Sequence, residues 1–278
     1  MNKERYFQTL NKVDSILSYF SELIDNCGEV KVIKNINMDS EVEIDVYHDY
    51  IYYCFTKSCR SLISSIMLAR EGLKEDCLII LRTIYENYLH MAHTLNNPKK
   101  IQEYVVQTVG LSAGSYSYKL NKDRKYDYNK VVKNKNGKEY FHGTNNSFKS
   151  KESINSIDYK LHKTIYGYLS EYTHPNMLSS GNYRSINQEN YTAFPKQLHL
   201  ETPFFILYLT YLQLDAIYIY HSDNSMWKDN GFNIIELIDY HKAKAILVNE
   251  IKEYLKKINT EILGSNFKSF VIKRITML

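Results

Sequence analysis

Residues 74–95 read KEDCLIILRTIYENYLHMAHTL, and the fold turns on how this stretch is read. Its apolar residues recur at helical spacing, and Asn96-Asn97-Pro98 closes the run, so the segment is expected to be a helix. Set into that pattern are Arg82, Glu86 and His90, which four-residue spacing places on one face. A later stretch, residues 166–175 (YGYLSEYTHP), continues a second strip in which His162, Tyr166, Ser170 and His174 share a face. Charges and imidazoles among Leu, Ile and Tyr need partners when buried, so the two faces are expected to meet. Their meeting point is the candidate site.

Working outward, residues 3–25 carry Leu10, Val13, Leu17, Phe20 and Ile24 on one stripe, an amphipathic helix that Gly28 should end. Alternating apolar residues between Glu29 and Val46 suggest a small hairpin or an extended connection. Further helices are expected over 49–71, 74–95, 98–120, 152–172, 203–220 and 234–258, with Pro98 in a first turn and Thr202 as a cap. A tail follows from 259 to 278. The fold class is therefore all-α: one helical bundle domain over 1–278, of about seven helices, with a basic loop insertion at 119–152. No glycine pattern for a dinucleotide or phosphate loop occurs, nor any internal repeat.

Composition narrows the class. A chain of 278 residues with 44% hydrophobic and 24% charged content is ordinary for a globular protein. The 26 Tyr against 11 Phe are unusual, and together with abundant Lys, Asn and Ile they fit an AT-rich genome. Cys27, Cys54, Cys59 and Cys77 show no metal-ligand spacing and read as reduced, buried thiols of a cytoplasmic protein. Residues 203–220 (PFFILYLTYLQLDAIYIY) are long enough to raise a membrane span, but Gln213 and Asp215 interrupt them. A buried central helix with no membrane contact is the better expectation, and its tyrosines offer a route to a homo-oligomer.

The net charge of +4 is unevenly spread: ten basic and four acidic residues fall between Lys119 and Glu152. Lys122, Arg124, Lys125, Lys130, Lys133 and Lys135 alternate there with Tyr126, Tyr128, Tyr140, Phe141 and Phe148, a composition suited to a single-stranded nucleic acid. A solvated, irregular loop explains the same residues. Arg82 and Glu86 are either an ion pair fixing helix register or an Arg held ready for phosphate. His174, just before Pro175, is either a helix C-cap or a general acid and base near Tyr166. Glu171-x-x-His174 is a single unit where a di-iron bundle needs two, so no metal and no cofactor are expected.

An R-x-x-Y-E helix (Arg82, Tyr85, Glu86) followed by Y-x-x-x-S-x-x-x-H-P (Tyr166, Ser170, His174, Pro175) resembles a bacterial helical family. That family is the domain of unknown function numbered fifty-six seventy-seven, found in mobile and defence-associated genes, and the likeness covers about 50–175. Such proteins also look like distant relatives of the HEPN superfamily, whose ribonucleases and toxins cleave RNA with an Arg-x4–6-His motif. This chain departs from that motif, because no Arg is followed by a His at that spacing. The resemblance implies a defence- or toxin-type ribonuclease, independent of metal, in which Arg82 binds phosphate, His174 transfers a proton, and Glu86 and Tyr166 position them. A partner protein encoded nearby would fit the same setting. The alternative is a non-enzymatic sensor or protein-binding module in which the cluster is structural.

Overall fold

The computed structural model describes residues 3–27, 46–143, 145–173, 183–184, 190–191, 198–223, 234–258 and 263–277. In chain order the elements are α1 (Lys3–Cys27), α2 (Val46–Arg70), α3 (Lys74–Asn96), α4 (Pro98–Ser112), β1 (Tyr116–Leu120), β2 (Tyr126–Lys133) and β3 (Lys138–Phe141). There follow α5 (Asn146–Lys151), α6 (Ile157–Ser170), α7 (Glu201–Asp223), α8 (Ile234–Lys257) and α9 (Phe267–Thr276). The expected all-α bundle is correct in class. Among the described residues it has nine helices rather than about seven, and it carries a small sheet. The hairpin expected at 29–46 and the Gly28 stop lie almost wholly outside the described residues.

The centre of the bundle is α7. It is apolar on every side, and α1, α2, α3 and α8 cover it, so Phe204 through Leu212 are buried without exception. A helix with no polar face belongs inside a core, and its length, sufficient to cross a membrane, reflects that burial. Around it, α2 and α3 form an antiparallel hairpin. Gly72 at φ 75° lets Leu73 N–H reach back to the Leu68 carbonyl (2.9 Å), a helix stop that a side chain at that φ would strain.

Residues 119–152 are not a structureless insertion. They form most of a three-stranded antiparallel sheet in the order β1-β2-β3, followed by the short helix α5. The sheet attaches to α4 through Tyr116. A Cβ on Gly110 would stand 2.4 Å from the Tyr116 ring, so only glycine admits the approach. The helix expected over 98–120 accordingly stops at Ser112, and 116–120 pair with β2. The helix expected over 152–172 begins only at Ile157. Ser153 and Asn155 bond to local groups instead, and Ile154 N–H turns to the Ala92 carbonyl on α3 (3.0 Å).

Residues 263–277, within the expected tail, are not loose either. Their helix α9 packs on α6 and α8 and drives Arg274 into the interior, where the side chain is 1% exposed. There Arg274 donates to Asp215 on α7 (2.9 Å), Asp158 on α6 (3.3 Å) and the Tyr88 hydroxyl on α3 (2.8 Å). Tyr88 in turn donates to Asp158 (2.6 Å), and Lys244 of α8 lies 3.5 Å from Asp215. Two carboxylates and two cations balance one another where a lone charge would be severely penalised. Arg274→Met should therefore lower unfolding free energy by about 3–5 kcal/mol, the cost of leaving buried carboxylates unpaired. Urea denaturation monitored by circular dichroism reads this, and a loss under about 1 kcal/mol would show that the network does not hold the bundle.

Candidate functional site

The two faces anticipated from the sequence do meet. Arg82, half-buried on α3, donates from Nε to Glu86 Oε1 (3.2 Å) and from one terminal nitrogen to the Tyr166 hydroxyl on α6 (2.6 Å). Its other terminal nitrogen donates to Thr173 Oγ1 (2.7 Å). The guanidinium carbon also lies 4.8 Å from the Tyr166 ring centroid. Three of five donors are thus in use, and the side chain keeps 22% of its surface. Thr173 is aimed by its bond to the Ser170 carbonyl (2.7 Å), and Ser170 by its bond to the Tyr166 carbonyl (2.5 Å). These are hydroxyls returning to the preceding helical turn.

Behind Tyr166 the planar groups continue inward. His162 stacks on Tyr166 (5.0 Å, 27°), and Tyr85 of α3 stacks on His162 (6.0 Å, 19°). Burial holds the His162 imidazole neutral, down to about 4, so at neutral pH it serves as packing and is no proton donor. His174, placed by sequence in the same strip, lies outside the described residues, as does its expected role as a cap. The residue before it, Thr173, touches Arg82.

Further along the α3 face, His90 meets Tyr50 of α2 through Nδ1 and Lys149 of α5 through Nε2 (2.8 Å). Sequence reading put His90 on this face but missed Lys149, Tyr50 and Thr173. Lys149 sits in a Lys-rich stretch where nothing marks one ammonium as buried. The six basic residues assigned to nucleic acid occupy the sheet. Lys122, Arg124 and Lys125 are exposed at the β1–β2 turn, Lys135 in the β2–β3 turn and Lys130 on β2, while Lys133 is half-buried. Tyr126 and Tyr128 beside them are 59% and 60% exposed. Among the described residues no group of three or more His, Cys, Asp or Glu could hold a metal ion.

A family model matches residues 48–192, more than half of the chain. The chain belongs to that family, a family of unknown function (DUF5677). The matched stretch contains Arg82, Glu86, Tyr166 and His174 together with the whole sheet. No curated protein and no solved structure matches the chain.

The neutral stack has a pH signature. Folded His162 binds its proton only near pH 4, whereas an unfolded imidazole binds near 6.5. Between those values the unfolded chain holds more protons, so stability is fully present above about pH 6.5 and falls as pH is lowered toward 4. His162→Gln should flatten that fall by up to about 1.4 kcal/mol per pH unit in urea titrations at stepped pH. An unchanged slope would show that His162 is not held neutral.

Proposed function

We propose that this chain is a defence- or toxin-type helical protein of the cytoplasm that acts on RNA without a metal, with Arg82 as its phosphate contact. The observation that supports this is the state of Arg82. Its plane is fixed by Tyr166, Glu86 and Thr173, yet part of it stays at the surface with donors to spare. A guanidinium oriented in advance is suited to a planar, two-pronged contact with phosphate oxygens. In cleavage, the 2′-oxygen of the ribose attacks phosphorus, the bond to the 5′-oxygen breaks, and a cyclic phosphate remains. Arg82 stabilises the charge that develops on the phosphoryl oxygens, and His174 carries the proton from the nucleophile to the leaving oxygen. The exposed lysines and tyrosines of β2 and its turns supply backbone charge and stacking surface for the strand.

A second reading has its own support. Arg82 ties α3 to Tyr166 of α6 and to Thr173 just past its end through two hydrogen bonds, which is also what a structural cross-link in a sensor or protein-binding module would do.

Incubation of wild type, Arg82→Ala and His174→Ala with labelled tRNA and mRNA, with and without EDTA, separates the two. Cleavage that resists EDTA and is lost in both variants, with melting temperatures within a few degrees of wild type, is the expected result. Folded wild-type protein that never cleaves, with a sharp fall in melting temperature for Arg82→Ala alone, favours the cross-link.

Binding is tested separately. Replacing Lys122, Lys125 and Lys130 together by Gln should reduce the slope of log affinity against log salt for single-stranded RNA by about 2, at roughly 0.7 per lost phosphate contact. An unchanged slope would remove the sheet from the interface.

A further inference from the structure

His90 stands two turns, about 12 Å, along α3 from Arg82, and it lines a cavity of about 210 Å³ between α3, α4, β3 and α5. Aromatic rings form much of the wall: Tyr104, Tyr140, Phe141 and Phe148. Phe141 and Phe148 meet edge to face at 5.0 Å, yet Phe141 keeps 55% of its surface. Gly143 lets these two rings converge, since a Cβ there would stand 2.9 Å from Phe141 and 3.3 Å from Phe148. The cations of the wall are already engaged. Lys149 donates to His90 Nε2 (2.8 Å), and Lys100 donates to Glu152 (3.0 Å), whose carboxylate also meets His93 (3.3 Å). Burial, with Lys149 beside it, holds His90 neutral, down to about 3. Glu103 is different. Its carboxylate lines the cavity from an exposed position on α4, and among the described residues no hydrogen bond or ion pair holds it.

We propose that this cavity receives one guanine base of a single-stranded RNA, with its ring against Phe141 and Phe148 and its N1–H and 2-amino group donating to Glu103. Charge argues against an ion of either sign. The ammoniums of Lys100 and Lys149 disfavour a cation, and the Glu103 carboxylate disfavours an anion. A neutral, flat ring that brings N–H donors meets neither penalty and suits the aromatic wall. Of the four RNA bases, guanine alone carries two donor atoms side by side on one edge, and a carboxylate accepts from both with its two oxygens. Size admits a base and little more: at about 30 Å³ per water the space equals about seven waters, below the roughly 300 Å³ at which drug-sized pockets begin. The ribose therefore stays at the mouth. The separation from Arg82 fits a phosphate and the base of an adjoining nucleotide in an extended strand. That placement rests on the RNA reading, whereas the base contact itself does not.

Isothermal titration of the full chain with guanosine, inosine, adenosine, cytidine and uridine 5′-monophosphates tests it, because the phosphate is constant and only the base differs. Guanosine monophosphate should bind at about millimolar concentration or below. Inosine monophosphate, which lacks the 2-amino group, should bind about tenfold more weakly. Glu103→Gln, at an exposed position, should weaken guanosine monophosphate by about tenfold or more. Equal affinity for all five, no binding of guanosine monophosphate at about 10 mM, or affinity for it untouched by Glu103→Gln would overturn the proposal. Cut sites mapped on a labelled RNA of mixed sequence separate that failure from failure of the RNA reading. Cuts beside guanines support both. Cuts without base preference, made by a chain that binds the five monophosphates alike, remove the base pocket and leave Arg82 its role. Guanine-selective binding by a chain that never cuts supports the pocket and sinks the cleavage reading alone.

Discussion

The bundle depends on one buried cation. Arg274 enters from the last helix and meets carboxylates of α6 and α7 and a hydroxyl of α3, elements that are far apart in sequence. Asp158 is itself held by Tyr88 and Ser153, so the carboxylate that anchors the start of α6 is organised by three other segments. Buried pairs of this kind are poor sources of net stability compared with apolar packing, but breaking one strands its partners. What the network supplies is register: α6 has one position along α3 at which Asp158 finds both Tyr88 and Arg274. That register also brings Tyr166 and Thr173 opposite Arg82.

The two arginines show how the same side chain takes different roles at different depths. Arg274 is enclosed, its charge matched by Asp158 and Asp215, and nothing approaches it from solvent. Arg82 is held as firmly but at the edge of the bundle, with a single carboxylate beside it and a ring beneath it. Between Arg82 and the core lies a column of planar groups, Tyr166, His162 and Tyr85, in which burial holds the imidazole neutral at neutral pH. The column backs the guanidinium with a rigid apolar support, so its remaining surface faces outward.

The family match and the physical domain do not coincide. The matched residues hold the α2–α3 hairpin, the sheet and α6, whereas α7 and the Arg274 helix lie beyond them. Yet α7 fills the centre of the bundle, and Gln213 on it donates to the Ile84 carbonyl of α3 (3.2 Å). The matched segment carries the candidate site, and the residues after it complete the core on which that site rests.

Sequence alone determined the helical class, the burial of 203–220 and the pairing of the Arg82 face with the Tyr166 face. Each is a local matter of period: apolar residues at helical spacing mark a buried stripe, and a charge within that stripe announces a partner. The sheet was missed because its strands bury little. Val131 is its one fully covered apolar residue, so no apolar alternation distinguishes β2 from a solvated basic loop. The break before α6 and the helix at 267–276 were missed for a different reason. Asp158, Asp215 and Arg274 each read locally as a polar interruption, and only folding brings them within hydrogen-bond reach across 59 and 116 residues of chain. Tertiary structure likewise decided which lysine of a basic stretch is buried against His90 and which remain in water. Burial is a property of what packs over a side chain, and no spacing along the chain records it.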